Sequence, residues 1–335
     1  MKNSLRTILL FLSVSLILVV VTSLVAFRSP PKIKIGFLVH DLIAERWKKD
    51  VTKFTQKVES LGGETIQQNA LGSAATQVAQ GKALIDNGVK VIVVVSQDAR
   101  VLGELVTYAD KAGAKIIAYD RMILNCNLHY YISFNNVSVG ELMADYALKL
   151  KPEGNYIILN GPSSDNNALL VRKGIMNKLT KHIDSGKIKV VLEKEMDSWY
   201  ALSSLMFLQE FLPANKYPID AIIAGSDDLA TGAIEALENH SKIVVTGQDA
   251  SVEACKNIML GNQSMTVYKS IEKLSSEAAI MAMKVAKGEK VEFTTTLNNG
   301  KKEVPSILFD PVVVDKSNLL TTVVAEGHIK ESDLH

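Results

Sequence analysis

The chain has 335 residues, a length that suits two domains of ordinary size, each large enough to bury a hydrophobic core. Lys and Arg together number 37 and Asp and Glu together number 36, so the formal net charge is only +1. This balance argues against a dedicated nucleic-acid surface and against a highly anionic partner. We therefore expect no nucleic acid among the partners.

The N-terminus differs in kind from the rest of the chain. Lys2 and Arg6 precede an uncharged, mostly apolar run at residues 8–27, and Arg28 closes that run. A run of about 20 apolar residues matches the hydrocarbon thickness of a bilayer. We predict that residues 1–31 form an uncleaved anchor and linker, with one transmembrane helix and the bulk of the chain outside the cytoplasm. The alternative is a cleaved signal, which would release a secreted or periplasmic protein.

From residue 32 onward, strand and helix patterns alternate. Buried-strand patterns occur at residues 33–39, 64–68, 89–95, 115–120 and 130–134, and helical patterns lie between them at 45–61, 73–87 and 101–112. Such β-α repetition predicts parallel strand pairing with right-handed crossovers. We expect a first doubly wound α/β lobe over residues 32–134.

The same alternation then begins again. Helical patterns at residues 138–150, 167–183, 202–212 and 229–238 alternate with strand patterns at 155–160, 188–193, 220–224, 242–246 and 264–268. A long amphipathic helix at 271–287 is expected to return to the first lobe, and a last strand at 308–314 to the second. The predicted lobes are thus 32–134 plus about 270–296, and 135–269 plus about 297–330, joined by a three-strand hinge.

Charged residues stand directly after two of these strands. The predicted strand at 115–120 ends on Asp120 and is followed by Arg121, and Asp249 holds the matching place in the second lobe. Ligands of open α/β sheets bind outside the carboxyl ends of the strands. A carboxylate accepts hydrogen bonds and a guanidinium donates several, so together they can hold the vicinal hydroxyls of a polyhydroxylated ligand. The alternative for Asp120 and Arg121 is a capping carboxylate beside a surface cation.

The only two tryptophans of the chain are Trp47 and Trp199, one in each predicted lobe. Trp47 lies near the carboxyl end of the first strand, and Trp199 lies just beyond a strand of the second lobe. Because indole rings pack against the C–H faces of sugars, one tryptophan per lobe would suit a sugar ring held between them. Core packing for Trp47 and a surface anchor for Trp199 are the alternatives.

Enzymatic chemistry finds little support in the sequence. There is no Gly-x-Ser-x-Gly elbow, Cys–His pairing, Walker loop or dinucleotide fingerprint, and Cys126 and Cys255 match no metal spacing. The run Ser226-Asp227-Asp228 and the pair His40-Asp41 were the remaining catalytic candidates. We predict that the chain is not an enzyme and that it has no catalytic residue, cofactor or metal. A repressor is also disfavoured, because an apolar segment occupies the space before the first strand.

Several segments together resemble the D-xylose-binding branch of the type I periplasmic sugar-binding proteins, the ribose/galactose-like family. The resemblance extends from residue 32 to the end, and its segments are 33–36 (IKIG), 41–50 (DLIAERWKKD), 118–123 (AYDRMI), 131–134 (YISF), 165–168 (DNNA), 247–250 (GQDA), 265–269 (MTVYK) and 295–300 (TTLNNG). The resemblance implies two lobes that close on a pentose, D-xylose or a related sugar.

The same resemblance implies which side chains would hold the sugar. From the first lobe these are Arg46, Asp120 and Arg121; from the second lobe and the hinge they are Asp165, Asn167, Asp249 and Lys269; Trp47 and Trp199 would stack on its two faces. Ser226 departs from the pattern, because the family usually has Asn there. Its shorter hydroxyl predicts that one sugar contact is lost or passes through water.

The predicted N-terminal anchor is a second departure from the family pattern, and it suggests a membrane partner. A receptor tethered by an N-terminal helix cannot carry sugar over a distance, but it can report closure of its cleft to a neighbour in the membrane. We therefore expect a sensor histidine kinase of a two-component system as the partner. Delivery of xylose to an ABC transporter permease is the alternative.

Overall fold

The computed structural model describes residues 31–237 and 243–334. The predicted membrane anchor at residues 8–27 lies outside these ranges. Within them, no helix has the length and apolar character needed to cross a membrane. The described residues from 34 onward form one compact unit, which contains two α/β lobes, each built on its own sheet.

The first lobe is built on a seven-stranded sheet with the order β11-β12-β5-β4-β3-β1-β2. Its elements are β1 (Ile33–Val39), α1 (Glu45–Ser60), β2 (Gly63–Asn69), α2 (Ala74–Asp86), β3 (Val91–Val94), α3 (Gly103–Ala112), β4 (Lys115–Tyr119), β5 (Tyr130–Phe134), β11 (Thr295–Asn298) and β12 (Glu303–Phe309). The pairs β1–β3, β3–β4, β4–β5 and β5–β12 are parallel, and β11–β12 is antiparallel.

The second lobe is built on a six-stranded sheet with the order β13-β10-β9-β8-β6-β7. Its elements are α4 (Asn136–Leu150), β6 (Gly154–Asn160), α5 (Asn166–Asp184), β7 (Ile188–Glu195), α6 (Ala201–Ala214), β8 (Ala221–Ala224), α7 (Asp227–Ala236), β9 (Val244–Gln248), α8 (Val252–Leu260), β10 (Met265–Tyr268) and β13 (Val312–Val314). The pairs among β6 to β10 are parallel, and β13 runs antiparallel to β10. A π-helical turn (Leu320–Val324) and a 3₁₀ turn (Glu331–Leu334) follow.

The chain passes between the two sheets three times, after β5, after β10 and after β12. Helix α9 (Ile271–Lys287) returns to the first lobe, where it packs on α1 and on β3, as the sequence predicts. One sequence boundary differs from the structure. The first sheet includes β11 and β12, so the final return to the second sheet falls at residues 310–311 and not at about residue 297.

The parallel strands are apolar because helices cover them. Strands β3 and β8 are fully buried, because helices cover both faces of a parallel sheet. Several helices begin at the carboxyl end of a strand with a side chain that caps free backbone N–H groups. These capping residues are Ser73, Asn135, Asp165, Ser226, Ser251 and Ser270. Because these helices begin at the carboxyl ends of strands, polar side chains and helix N-termini lie at one edge of each sheet.

Candidate functional site

A cavity of about 380 Å³ lies where the carboxyl ends of the strands of the two lobes face each other. Its wall is formed by segments that follow β1, β4, β6, β7, β8, β9 and β10. All the sugar-binding residues predicted from the sequence line this cavity, namely Arg46, Trp47, Asp120, Arg121, Asp165, Asn167, Trp199, Ser226, Asp249 and Lys269. Residues that lie far apart in the chain therefore meet in one place.

Asp120 and Asp249 occupy equivalent positions in the two lobes. Each directly follows its strand with a positive φ, 62° for Asp120 and 102° for Asp249. Each backbone N–H donates to the neighbouring strand, Asp120 to the carbonyl of Ile132 and Asp249 to that of Val267, both at 2.9 Å. The left-handed conformation is unusual for residues other than Gly, although Asp and Asn adopt it more readily than most. It turns the two carboxylates into the cavity.

The guanidinium of Arg46 connects these two aspartates. It donates to Asp249 Oδ1 at 2.7 Å and to Asp120 Oδ2 at 3.1 Å, and its Nε lies 3.6 Å from Asp50 Oδ2. Burial alone would lower the pKa of Arg46, but Asp120 and Asp249 outweigh burial and raise that pKa, so the side chain stays charged. Arg46, from the first lobe, thus binds a carboxylate of each lobe.

Asp50 lies one helical turn after Arg46, close to the Nε of that arginine. It is fully buried and accepts a short hydrogen bond from the hydroxyl of Tyr119. Burial raises the pKa of Asp50 to about 6, and the opposing attraction of Arg46 only partly offsets burial. Tyr119 therefore holds Asp50, whose other carboxylate oxygen lies 3.6 Å from Arg46 Nε, and neither Tyr119 nor Asp50 lines the cavity.

A second contact between the lobes joins Arg121 and Asp165. Arg121 Nε lies 2.8 Å from Asp165 Oδ2, and the indole N–H of Trp199 donates to the same oxygen at 3.1 Å. The other carboxylate oxygen of Asp165 accepts from the backbone N–H of Asn167 and so caps α5. The Asn167 amide in turn donates to Asp120 Oδ1 at 3.0 Å.

Lys269 lies at the second crossing between the lobes, and its Nζ is 2.9 Å from Asp249 Oδ1. Burial would raise the pKa of Asp249, but Lys269 and Arg46 together lower it to about 2. Asp249 is therefore ionised at any physiological pH and acts as a hydrogen-bond acceptor.

The two tryptophans stand in different surroundings. Trp47 is only 5% exposed, with the guanidinium of Arg46 4.2 Å from its ring centre and His40 in an edge-on contact at 4.9 Å. Trp199 is half-buried and lies against Gly161 and Gly225. Both indoles contribute to the cavity wall, so the tryptophan of each lobe reaches the same space.

The sequence profile of the periplasmic binding protein domain family matches residues 35–290. The chain belongs to this family. The D-xylose-binding periplasmic protein of Haemophilus influenzae is 43% identical over 328 residues, covering 96% of this chain and 99% of the relative. The D-xylose-binding periplasmic protein of Escherichia coli is 42% identical over 332 residues, covering 98% and 99%.

Solved structures agree with the fold of this periplasmic binding protein. An ABC transporter solute-binding protein of Clostridium phytofermentans with bound β-D-glucose superposes with a TM-score of 0.85 at 28% identity, covering 90% of this chain and 100% of that one. A carbohydrate transporter solute-binding protein of Chloroflexus aurantiacus in complex with D-glucose gives 0.84 at 26% identity, covering 91% and 98%. The relatives are binding components, which confirms the prediction that this chain is not an enzyme.

The side chains considered as catalytic candidates have contacts that explain them structurally. Burial lowers the pKa of His40, and Arg121 and Arg46 lower it further, so His40 is neutral and its 3.5 Å approach to Asp41 is not an ion pair. Asp227 is buried and accepts hydrogen bonds from Ser251, Gln263 and Thr266. Over residues 31–237 and 243–334, no group of acidic, His and Cys side chains is arranged to hold a metal ion.

Ser226 has a structural task as well as a place in the cavity wall. Its Oγ accepts a hydrogen bond from the backbone N–H of Leu229 at 3.2 Å and so caps α7. The hydroxyl hydrogen remains available to a ligand, but the capping bond occupies part of its acceptor capacity. Ser226 can therefore supply a single hydrogen-bond donor to the cavity.

Two parts of the site escaped the sequence analysis. A Cβ atom at Gly161 would lie 2.2 Å from the Trp199 ring, so this glycine makes room for the indole. Gly161 directly follows β6, and a glycine at the carboxyl end of a strand is the signal that could have identified it. The other part is Asp228, which was considered only as a catalytic candidate although its side chain lines the cavity.

Proposed function

We propose that the chain binds D-xylose, or a closely related pentose, in the cavity between its lobes and delivers it to an ABC transporter permease outside the cytoplasm. The observation that carries this proposal is the arginine Arg46, which lies between carboxylates of both lobes at the cavity wall. The full-length similarity to two D-xylose-binding periplasmic proteins supports the choice of sugar.

The chemistry of the cavity suits a small polyol. Its wall offers guanidinium and ammonium donors, carboxylate acceptors and an amide, which together can pair every hydroxyl of a sugar. Its volume of about 380 Å³ lies at the lower end of the range for small-molecule pockets, which favours a monosaccharide over a longer oligosaccharide. Charge-assisted hydrogen bonds to hydroxyls are stronger than neutral ones, so such a site can bind a neutral ligand tightly.

Each lobe would contribute a defined set of contacts. In our proposal Arg46, Asp120 and Arg121 hold the sugar from the first lobe, and Trp47 packs on one face of its ring. Asp165, Asn167, Asp249 and Lys269 hold it from the second lobe and the hinge, Trp199 packs on the other face, and Ser226 donates one hydrogen bond. The positions of these side chains around a common cavity support this division.

Sugar binding would favour closure of the lobes. A ligand shifts a conformational equilibrium only through its different affinities for the two states. Contacts from both lobes supply such a difference, because a sugar held by Asp120 and Asp249 at once can exist only in the closed form. The three crossings between the sheets provide the hinge.

Delivery to a permease is favoured over the sensor kinase that the sequence analysis expected. The two relatives that match over nearly the whole chain are periplasmic proteins. The solved structure with the TM-score of 0.85 is an ABC transporter solute-binding protein. We therefore propose a periplasmic or otherwise extracytoplasmic location. Anchoring through residues 8–27 stays a sequence prediction.

Isothermal titration with D-xylose, L-arabinose, D-ribose and D-glucose tests the binding step. We expect the strongest binding for D-xylose, with heat of binding and no product detectable by chromatography. Absence of binding to every pentose, or conversion of the sugar, would overturn the proposal.

Uptake of labelled D-xylose by cells that lack the protein tests the second step. Uptake that equals the parent's, together with loss of xylose-induced transcription, would favour sensing over delivery.

A further inference from the structure

The carboxylates in the cavity wall differ in whether they have partners. Asp120, Asp165 and Asp249 each bind at least one cation, Arg46, Arg121 or Lys269. Asp227, which also lines the cavity, accepts hydrogen bonds from neighbouring polar groups. Each of these four carboxylates is therefore held by protein partners.

Asp228 is the exception among the carboxylates of the wall that are at least partly buried, since the remaining two, Glu45 and Glu253, are exposed. It lies in the first turn of α7, is half-buried, and its side chain lines the same cavity. Within the part of the chain that the structure describes, this side chain has no hydrogen bond and no ion pair. A partly desolvated carboxylate without a partner is costly, so it is poised to accept a hydrogen bond from whatever fills the cavity.

The charged and titratable groups that face Asp228 are Asp249, from the segment after β9, and the phenol of Tyr200, at the start of α6. Tyr200 donates its hydroxyl hydrogen to Asp41 Oδ2 at 2.9 Å and is therefore committed to another acceptor. Ser226, which lies beside Asp228 in the wall, uses part of the acceptor capacity of its hydroxyl oxygen to cap the helix. A ligand hydroxyl in this corner would thus find Asp228 as its free acceptor.

We infer that Asp228 accepts a hydrogen bond from one sugar hydroxyl and makes sugar affinity depend on pH. This inference rests on the proposed function, because it names a specificity-determining residue of the same site. An acceptor at this position favours sugars that carry a hydroxyl in its direction and disfavours analogues that lack it.

The direction of the pH dependence follows from linkage. Burial, followed by the charge of Asp249, raises the pKa of Asp228 to about 6 in the protein without sugar. A hydroxyl that donates to the carboxylate stabilises the charged form and lowers this pKa in the complex. Binding must therefore weaken as the pH falls through about 6, because the complex favours the carboxylate and the protonated acid is a weaker, uncharged acceptor.

Titration calorimetry of D-xylose at about pH 5 and about pH 7.5, which bracket the pKa, tests this dependence. We expect the wild-type protein to bind more weakly at the lower pH, and Asp228→Asn to remove most of that difference. Asp50, whose pKa is also about 6, remains in the variant and accounts for any residual slope. Glu235→Gln, an exposed position of the same helix with the same change of charge, should keep the wild-type profile.

A second measurement identifies the hydroxyl. Asp228→Ala is combined with each monodeoxy analogue of D-xylose in a double-mutant cycle. We expect Asp228→Ala to weaken D-xylose binding by about 10-fold or more, the scale of a hydrogen bond to a charged group, and to have no further effect on one analogue. Thermal unfolding verifies that the variants fold.

The outcomes separate this inference from the proposed function. If wild-type protein binds no pentose, the proposed function fails. If wild type binds D-xylose but Asp228→Asn keeps the full pH dependence, or Asp228→Ala adds equally to every deoxy analogue, the role of Asp228 is refuted while the proposed function stands.

Discussion

At the scale of single residues, Arg46 joins the two lobes through one side chain. Its guanidinium binds Asp249 at 2.7 Å and Asp120 at 3.1 Å, and all three side chains are largely buried. A buried ion pair adds little net stability, because desolvation offsets much of the attraction, but removal of one partner leaves an uncompensated charge. The arrangement therefore adds little stability by itself but makes each partner sensitive to substitution.

Asp249→Asn should weaken D-xylose binding by about 2–4 kcal/mol, the range for removing one partner of a buried, hydrogen-bonded charge pair. The variant leaves Arg46 and Lys269 facing each other without the carboxylate that separates them, so closure becomes unfavourable. Asn tolerates the positive φ of 102° better than most residues, so the backbone is preserved. Titration calorimetry gives the affinity.

Asp184→Asn, at an exposed position at the end of α5, removes the same charge away from the cavity and should bind as wild type. An Asp249→Asn variant with unchanged affinity would show that the sugar site does not include Asp249.

How far the sequence predicts these residues depends on the type of signal. Asp120 and Asp249 are predictable, because each ends a recognisable strand and the two lobes repeat the pattern. The unpartnered state of Asp228 is not, since the absence of a partner depends on every side chain that packs around it. Gly161 illustrates the same limit, because its importance comes from Trp199, which lies 38 positions away in the chain (199 − 161).

At the scale of elements, close contacts between helices fix the second lobe. A Cβ atom at Gly140 of α4 would lie 2.0 Å from the carbonyl oxygen of Val171, and one at Gly174 of α5 would lie 2.0 Å from that of Val137. The two helices therefore pack backbone against backbone, and glycine is required at both positions. Since the N-terminus of α5 carries Asp165 as its cap and Asn167 in its first turn, this packing also positions part of the cavity wall.

Gly174→Ala should destabilise the second lobe by about 1–3 kcal/mol or more, because an added methyl group in a packed interface forces the backbones apart. Guanidinium-induced unfolding followed by circular dichroism measures the change in the free energy of unfolding. Lys173→Ala, at the exposed neighbouring position of the same helix, should stay within about 0.5 kcal/mol of wild type. Equal stability of Gly174→Ala and wild type would contradict the close packing of these helices.

Element positions were easier to predict than sheet membership. The sequence predicts α9 and its return to the first lobe, because this amphipathic helix comes too late in the chain to complete the second lobe. It also predicts one last strand at 308–314, where the structure has β12 and β13 in different sheets. Asp310 and Pro311 interrupt the run, but both parts are short and apolar. Which sheet each part joins depends on which edge strand is free, and sequence periodicity carries no information about that.

At the scale of the whole molecule, the described structure has the lobes in contact around the cavity. Besides the ion pairs of Arg46 and Arg121, the backbone N–H of Ala99 donates to the carbonyl of Ser164 at 3.0 Å, and Lys49 donates to the carbonyl of His328 at 3.0 Å. These contacts define a closed arrangement that a partner could distinguish from an open one, because it brings the edges of both lobes to fixed positions.

Exposed apolar side chains follow these edges on both lobes. Leu71 is 81% exposed just after β2, and Leu202 and Met206 are each 62% exposed in the first turns of α6. The carboxyl end of β2 lies beside that of β1, since Ala70 donates to the carbonyl of Val39, so Leu71 belongs to the cleft edge. Exposed apolar groups on both sides of a cleft suit a membrane partner that docks only when the lobes are closed.

If the chain delivers sugar to a permease, Leu71→Glu and the pair Leu202→Glu with Met206→Glu should each lower D-xylose uptake by about 5-fold or more, as for central residues of an interface. Binding of D-xylose measured by calorimetry should stay unchanged, because none of these side chains lines the cavity.

Leu260→Glu is the matched control, since Leu260 is 74% exposed at the end of α8, on the opposite edge of the second sheet. If uptake falls equally in the control, the loss reflects surface charge in general, and if uptake falls in none of the variants, the permease docks elsewhere. A loss confined to the variants at the cleft edge would place the docking surface where closure of the lobes can be recognised.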